Sequence, residues 1–300
     1  LRDANQGVVT GTDGSGNPVI TFPYANLNNP LSAASGAGAH AFLELATNDG
    51  STSYNAFQAS LRRTFGSNFG YGVNYTWSHA FSNYVDNLTG GAFPQNAYAY
   101  NLEKSNSPFD VRHRLVAHVI YALPLGPGRR WLGQDGLAAN VLGGWQTNLI
   151  VSLQTGTPFD VNGPDQSLTD PNGAVDPRPN CIGDPRGGAS ANVHQALAGG
   201  SGFYINPAAF AQPALGTFGS CAPRLVHGPG LQNWDFSLFK NFRITERQRA
   251  ELRGEFFNVF NHPNFANPSA FFFTGVQGFG QISNTVTDPR QIQVALKYYF

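Results

Sequence analysis

The chain has 300 residues and a formal net charge of zero, because 18 Lys and Arg residues balance 18 Asp and Glu residues. Only 12% of the residues are charged, about half the share usual in soluble domains, while the chain contains 35 Gly, 24 Phe and 11 Tyr. This balance leaves no basic surface for nucleic acid, and no apolar run approaches the roughly 18 residues of a membrane-spanning helix. Nucleic-acid-binding proteins and helical membrane proteins are therefore excluded.

The N-terminal part of the chain carries few structural signals. Residues 1–38 are rich in Gly, Asn and Pro and are predicted to be irregular, and one strand is expected at Ala39–Ala46. The chain starts at Leu1 and contains no Met, so we expect it to be a piece of a longer protein.

Strict alternation of apolar and polar residues then recurs along the chain, which places successive side chains on opposite faces of an extended strand. In Phe69–Ser78, five aromatic or β-branched residues alternate with five Gly or polar residues. Six further segments alternate in the same way: Asn55–Arg63, Val111–Ala122, Trp145–Gln154, Asn233–Leu238, Arg249–Phe256 and Gln291–Phe300. With Ala39–Ala46, the sequence predicts an all-β antiparallel sheet of about eight long strands.

The polar side of these strands decides what kind of sheet is expected. In Arg249–Phe256, four charged residues occupy successive positions on one face. Such a face cannot line a dry core without a large desolvation cost, but it can line a water-filled lumen while the other face meets lipid. A soluble sheet with one wet face also alternates, but its strands usually have about five or six residues. The lumen-facing candidates are Arg112, Arg114, Asp235, Arg249, Glu251, Arg253 and Glu255.

The connections alternate in length, which is a second feature of transmembrane β-barrels. Long connections at residues 81–107, 157–230 and 262–289 are all predicted to lie outside the cell, if the chain ends in the periplasm. Residues 157–230 should form the principal extracellular loop, either mobile or packed only on itself. This loop contains Cys181 and Cys221, for which spacing leaves both a disulfide and two free thiols open.

Several segments from Tyr54 to Phe300 resemble the C-terminal barrel region of Oar-like TonB-dependent receptors. They include Phe109-Asp-Val-Arg-His-Arg, Asn233-Trp-Asp-Phe-Ser-Leu-Phe-Lys-Asn-Phe and Glu255-Phe-Phe-Asn-Val-Phe-Asn-His-Pro-Asn-Phe. The resemblance implies a barrel with an N-terminal plug and a TonB-contacting box, neither of which is in this sequence. It also implies uptake of a bulky solute of unknown identity. The C-terminal residues Val294, Leu296, Tyr298 and Phe300 look like the β-signal read by the barrel-assembly machinery.

The expected partners are therefore outer-membrane lipid, the TonB complex through the absent N-terminal region, the barrel-assembly machinery and an unknown solute. No catalytic motif of the common hydrolase, metalloprotease or nucleotide-binding kinds occurs, so we expect neither catalysis nor a cofactor or metal. His113 and His118 are better explained as hydrogen-bonded structural residues than as ligands. The remaining alternative is an adhesive or structural outer-membrane barrel without energised transport.

Overall fold

A computed structural model of the chain describes residues 2–24, 44–45, 48–66, 68–83, 93–134, 136–170, 175–189, 193–245, 247–273 and 278–300. Within these ranges the chain is built almost entirely from β-strands. The strands are β1 Arg2–Asp3, β2 Val8–Thr12, β3 Pro18–Thr21, β4 Glu44–Leu45, β5 Thr52–Arg63, β6 Phe69–Ser82, β7 Ser105–Asn106, β8 His113–Ala122, β9 Trp145–Gln154, β10 Pro158–Phe159, β11 Asn180–Cys181, β12 Phe210–Ala211, β13 Val226–His227, β14 Leu231–Arg243, β15 Arg249–Phe257 and β16 Gln291–Tyr299.

The helical segments are short. The α-helix α1 spans Leu137–Leu142, and three 3₁₀ helices span Tyr100–Glu103, Val193–Ala196 and Pro207–Ala209. Within the described ranges, none of these helices has the length and hydrophobicity needed to cross a bilayer.

Seven long strands form one open antiparallel sheet in the order β5, β6, β8, β9, β14, β15 and β16, and the two-residue strand β7 pairs with β6. All seven segments with alternating residues are strands of this sheet, which confirms the predicted all-β antiparallel fold. Residues 64–68, 123–144 and 244–248 connect the strands at what we call the short-turn end. Residues 83–112, 155–230 and 258–290 connect them at the opposite, loop end.

The pairing register joins the apolar sides of all seven strands into one continuous surface, the apolar face. One row across the sheet runs Leu61, Val73, Ala117, Val151 and Trp234. A neighbouring row runs Tyr71, Val119, Leu149, Phe236, Phe256 and Ile292. At the two sheet edges these side chains are strongly exposed, with Leu61 at 60% and Val294 at 70%. A surface of this kind needs an apolar environment.

The eighth strand expected at Ala39–Ala46 is not part of this sheet. Glu44–Leu45 pairs with Arg2–Asp3 in a separate two-stranded ladder, and residues 39–43 and 46 lie outside the described residues. The prediction that residues 1–38 are irregular is also wrong in part, because β2 and β3 form a hairpin. The tight turn at Gly16, whose φ is +84°, lets the chain reverse direction there.

The three long connections fold together into a second body, the loop layer, at the loop end of the sheet. Its core contains Phe159, Val161, Ile205 and Phe210 from the middle connection and Phe279 from the last one. Two-stranded ladders, β10 with β13 and β11 with β12, organise the middle connection. The expectation that residues 157–230 are mobile or pack only on themselves is therefore wrong, since apolar residues of two connections share this core.

The N-terminal segment is attached to the loop layer by hydrogen bonds. The buried Gln6 side chain donates to the Gln95 carbonyl at 2.8 Å and accepts from the Ala97 backbone N–H. The backbone N–H of Gly7 donates to the Thr169 carbonyl at 2.7 Å. These contacts satisfy buried polar groups and fix the segment in place.

Candidate functional site: the polar face and the loop layer

The side of the sheet opposite the apolar face, here the polar face, carries the predicted charges of β15. Glu251 lies directly opposite Lys297 on one neighbouring strand and Asn241 on the other. The Arg253 guanidinium donates to the Glu251 carboxylate and lies 4.8 Å from the ring centroid of Phe239. Opposite charges on adjacent positions of one face stabilise each other while remaining available to water.

The outer members of this series have different neighbours. Arg249 lies 4.2 Å from the ring centroid of Tyr299, the residue opposite it on β16. Glu255 lies opposite Ser237 and Gln293, so a polar environment surrounds its carboxylate on both sides. The register thus places Arg249, Glu251, Arg253 and Glu255 in a single polar strip, which can contact a hydrated solute through charge and hydrogen bonds.

Asp235 and Arg114 also lie on the polar face, but neither belongs to the strip of charges on β15. The Asp235 carboxylate accepts hydrogen bonds from the Asn258 backbone N–H and the Asn233 amide, each at 2.9 Å. It therefore anchors the chain where β15 ends and the last connection begins. Arg114 is exposed and lies opposite Thr76 and Gln154, both neutral.

Arg112 does not lie on the polar face, contrary to the sequence prediction. It precedes β8, and its guanidinium donates to Asp110 at 2.6 Å and Asn106 at 3.0 Å. Its amino nitrogen also lies 2.8 Å from Nε2 of His79. A residue beyond the end of a strand is not held on the face that the alternating pattern predicts. Here the buried Asp110 carboxylate attracts the Arg112 guanidinium.

Asp110 is the centre of this ionic cluster at the loop end. Burial alone would raise the pKa of its carboxyl group, but hydrogen bonds from the Ala80 backbone N–H, Arg112 and His227 hold the pKa below its usual range. The Ala80 N–H donates at 2.7 Å, and Nε2 of His227 lies 3.4 Å from the carboxylate. The Asp110 carboxylate, from the first long connection, thus links Ala80 near the end of β6 to His227 near the end of the middle connection.

Two buried arginines lock the loop layer, and sequence patterns did not identify either. Arg178 makes a bidentate ion pair with Glu103 at 2.8 and 3.1 Å, and both side chains are at most 3% exposed. Arg224 donates to the backbone carbonyls of Ser82 at 3.1 Å and Glu103 at 2.8 Å. Breaking a buried pair of this kind leaves an uncompensated charge, so the contacts hold the connections in one arrangement.

Cys181 and Cys221 are joined by a disulfide within the middle connection. The carbonyl of Cys221 accepts a hydrogen bond of 2.9 Å from Nε of Arg178, so the disulfide and the Arg178–Glu103 pair belong to one structural unit. The cross-link adds to the order of the loop layer by restricting its unfolded forms.

A cavity of about 840 Å³ lies where the sheet meets the loop layer. Its sheet wall includes Tyr75, His113, Leu115 and Leu153 on the apolar face, and its other walls include Arg112, Tyr204, His227 and His262. The Tyr75 hydroxyl and Nδ1 of His113 are hydrogen-bonded at 2.8 Å. This cavity is therefore on the apolar side of the sheet and is separate from the strip of charges.

His113 and His118 lie on opposite faces of β8 and do not come together. The ring of His118 covers Gly72 so closely that a Cβ atom there would clash with the imidazole, so packing explains both His118 and Gly72. Among the described residues, no group of three or more His, Cys, Asp or Glu is placed to hold a metal ion.

Comparison with known protein families identifies the family of this chain. No curated protein and no solved structure shows significant similarity to the chain. The family model for the outer membrane beta barrel domain matches residues 1–293, nearly the whole chain. Together with the antiparallel sheet and its continuous apolar face, this match shows that the chain belongs to the outer membrane beta barrel domain family and is a protein of the outer membrane.

Proposed function

We propose that this chain forms part of the barrel wall of a TonB-dependent receptor that takes up a bulky solute. The observation that carries the proposal is the strip of alternating charges on β15, set on the face opposite the apolar one. A wall with lipid on one side and charges on the other encloses a water-filled lumen. The TonB-dependent part of the proposal is supported by the resemblance of residues 54–300 to Oar-like receptors.

In this proposal the loop layer is the extracellular part that first contacts the solute, and the short-turn end faces the periplasm. A loop layer held by Arg178, Glu103 and a disulfide presents a preformed surface, which lowers the entropy lost when a solute binds. The polar strip then guides the solute along the lumen. The proposal assigns no catalytic step to the chain.

Uptake measurements on cells that produce the protein at its natural length test this function. The probes are radiolabelled oligosaccharides, a peptide pool and chelated iron. We expect at least one probe to accumulate, and this accumulation to be lost in cells that lack TonB. Glu251→Gln with Glu255→Gln should reduce accumulation while the amount of assembled barrel stays the same. Accumulation unaffected by TonB would contradict the proposal.

The adhesive or structural alternative predicts a different result. Cells would then accumulate none of the probes, but would lose attachment to surfaces or to each other when the gene is deleted. Charge substitutions on the polar face would have no effect on that attachment, because the face points into the barrel. This combination of results would replace the proposed transport function.

A further inference from the structure

The connection between β8 and β9, residues 123–144, folds toward the apolar side of the sheet. Trp145 and Lys240 lie opposite each other on the apolar face, at its short-turn end. The ammonium group of Lys240 donates hydrogen bonds to the carbonyls of Asn140 at 2.7 Å, Val141 at 3.1 Å and Gly143. Since these carbonyls end α1, a cation of the apolar face holds the C-terminal end of this helix.

Further contacts fix α1 in this position. The indole N–H of Trp145 donates to the Val141 carbonyl at 3.2 Å, and Ala139 is only 3% exposed. Gly126 and Gly143 are in close contact, because a Cβ atom on Gly126 would lie 2.7 Å from the Cα of Gly143. Helix α1 is thus packed against its own connection and against the short-turn end of β9 and β14.

This connection carries five large apolar side chains that are exposed. Leu137 is 85% exposed, Val141 57%, Leu142 50%, Trp131 54% and Leu132 41%. We call these five residues the turn patch. A surface of large side chains as exposed as these is unfavourable in water and is typical of an interaction site.

Basic side chains accompany the turn patch. Arg129 and Arg130 are exposed, and the guanidinium of Arg130 lies 5.5 Å from the ring centroid of Trp131. An apolar patch with Trp at its border and Arg beside it has the composition of segments that lie in the headgroup region of a membrane.

We propose that the turn patch inserts into the lipid leaflet at the short-turn end of the barrel, with the arginines at the phosphate groups. The patch adjoins the apolar face, because Trp145 and Lys240 of that face are hydrogen-bonded to the helix that carries Leu137, Val141 and Leu142, so the lipid that covers the face extends to the patch. The inference rests on the outer-membrane fold and is independent of what the barrel transports. The connection acts as an anchor that fixes the depth of the barrel wall.

Fluorescence in vesicles tests this assignment. The protein at its natural length is made with Leu137→Cys, labelled with the environment-sensitive dye NBD and assembled in vesicles of phosphatidylethanolamine and phosphatidylglycerol. Cys181 and Cys221 are bonded to each other and do not take up the label. Arg247→Cys, exposed in the 244–248 turn at the same end, is the matched control. Leu142→Cys provides a second site in the patch if labelling at Leu137 impairs assembly.

The proposal predicts that the dye at Leu137 has blue-shifted emission and is quenched by lipids carrying a spin label near the headgroup. The dye at Arg247 should emit as in water and respond weakly to the same lipids. Equal emission and quenching at the two positions would overturn the proposal. A blue shift that depends on protein density, without quenching by lipid, would show that a second copy of the chain covers the patch instead.

Discussion

Substitution of Val73 by Arg tests the assignment of the two faces of the sheet. Val73 lies in the row that includes Leu61 and Ala117, and Ala117 is near the middle of β8. Arg at the midplane of the lipid-facing side of a barrel costs about 2–4 kcal/mol. Since about 1.4 kcal/mol corresponds to a tenfold change, the folding equilibrium should fall by roughly 30- to 700-fold.

The next residue, Asn74, provides the matched control because its side chain lies on the polar face. Asn74 is exposed and accepts a hydrogen bond of 2.9 Å from the Ser60 hydroxyl. Asn74→Arg removes this one bond and should cost about 1 kcal/mol or less. Urea titration of folding into vesicles, followed by the heat-modifiable migration of the barrel, measures both variants. Equal losses, or a larger loss for Asn74→Arg, would refute the assignment.

Three further predictions concern the loop layer and the C-terminus. Burial and the nearby Asp160 raise the pKa of Asp176 from 3.8 to about 7, so the folded state retains a proton that the unfolded state loses. The stability of the loop layer, measured by hydrogen exchange, should therefore fall by at most about 4 kcal/mol as the pH rises from 3.8 to about 7. Asp176→Asn should abolish this dependence of stability on pH. Replacing Cys181 and Cys221 by Ser should speed cleavage within residues 157–230 by protease added to intact cells, and cleavage only after permeabilisation would place the loop inside. Phe300→Asp should lower barrel assembly without lowering synthesis, and wild-type assembly would eliminate the β-signal assignment.

The sheet was predictable because its strands obey one simple physical rule. Period-two alternation between lipid and water leaves a signature in each strand separately, so Phe69–Ser78 and Arg249–Phe256 could be identified without knowledge of their neighbours. The same alternation correctly placed Glu251 and Arg253 on one face. Within the seven strands of the sheet, the differences from the prediction lie at the strand ends, as at β5, which begins at Thr52.

The loop layer was not predictable by this rule because its contacts join distant residues with no period. Glu103 and Arg178 are separated by 75 residues, and nothing near either residue indicates a buried partner. Arg112 is two residues from Arg114, so the alternating pattern places both on the same face. However, Arg112 lies outside β8, and its guanidinium pairs with Asp110 instead. The period-two pattern predicts the face on which a side chain lies only where the backbone is extended and paired in a sheet.

The helix within the connection at residues 123–144 was not predicted from the sequence. Helix α1 has six residues and its N-cap residue Gly136 makes no side-chain capping bond, so neither length nor capping indicates a helix. Lys240 interrupts the apolar face of β14, and a lysine is tolerated there because its ammonium group donates to the α1 carbonyls and lies close to the rings of Trp145 and Phe242.

Site-directed spin labelling along β15 tests the central claim most directly. Single labels at residues 249–256, in the assembled protein in vesicles, are exposed in turn to oxygen, which concentrates in lipid, and to a nickel chelate, which stays in water. We predict that Ala250, Leu252, Gly254 and Phe256 respond mainly to oxygen, and that Arg249, Glu251, Arg253 and Glu255 respond mainly to the chelate. Equal response to the chelate on both faces would contradict a wall between lipid and a water-filled lumen.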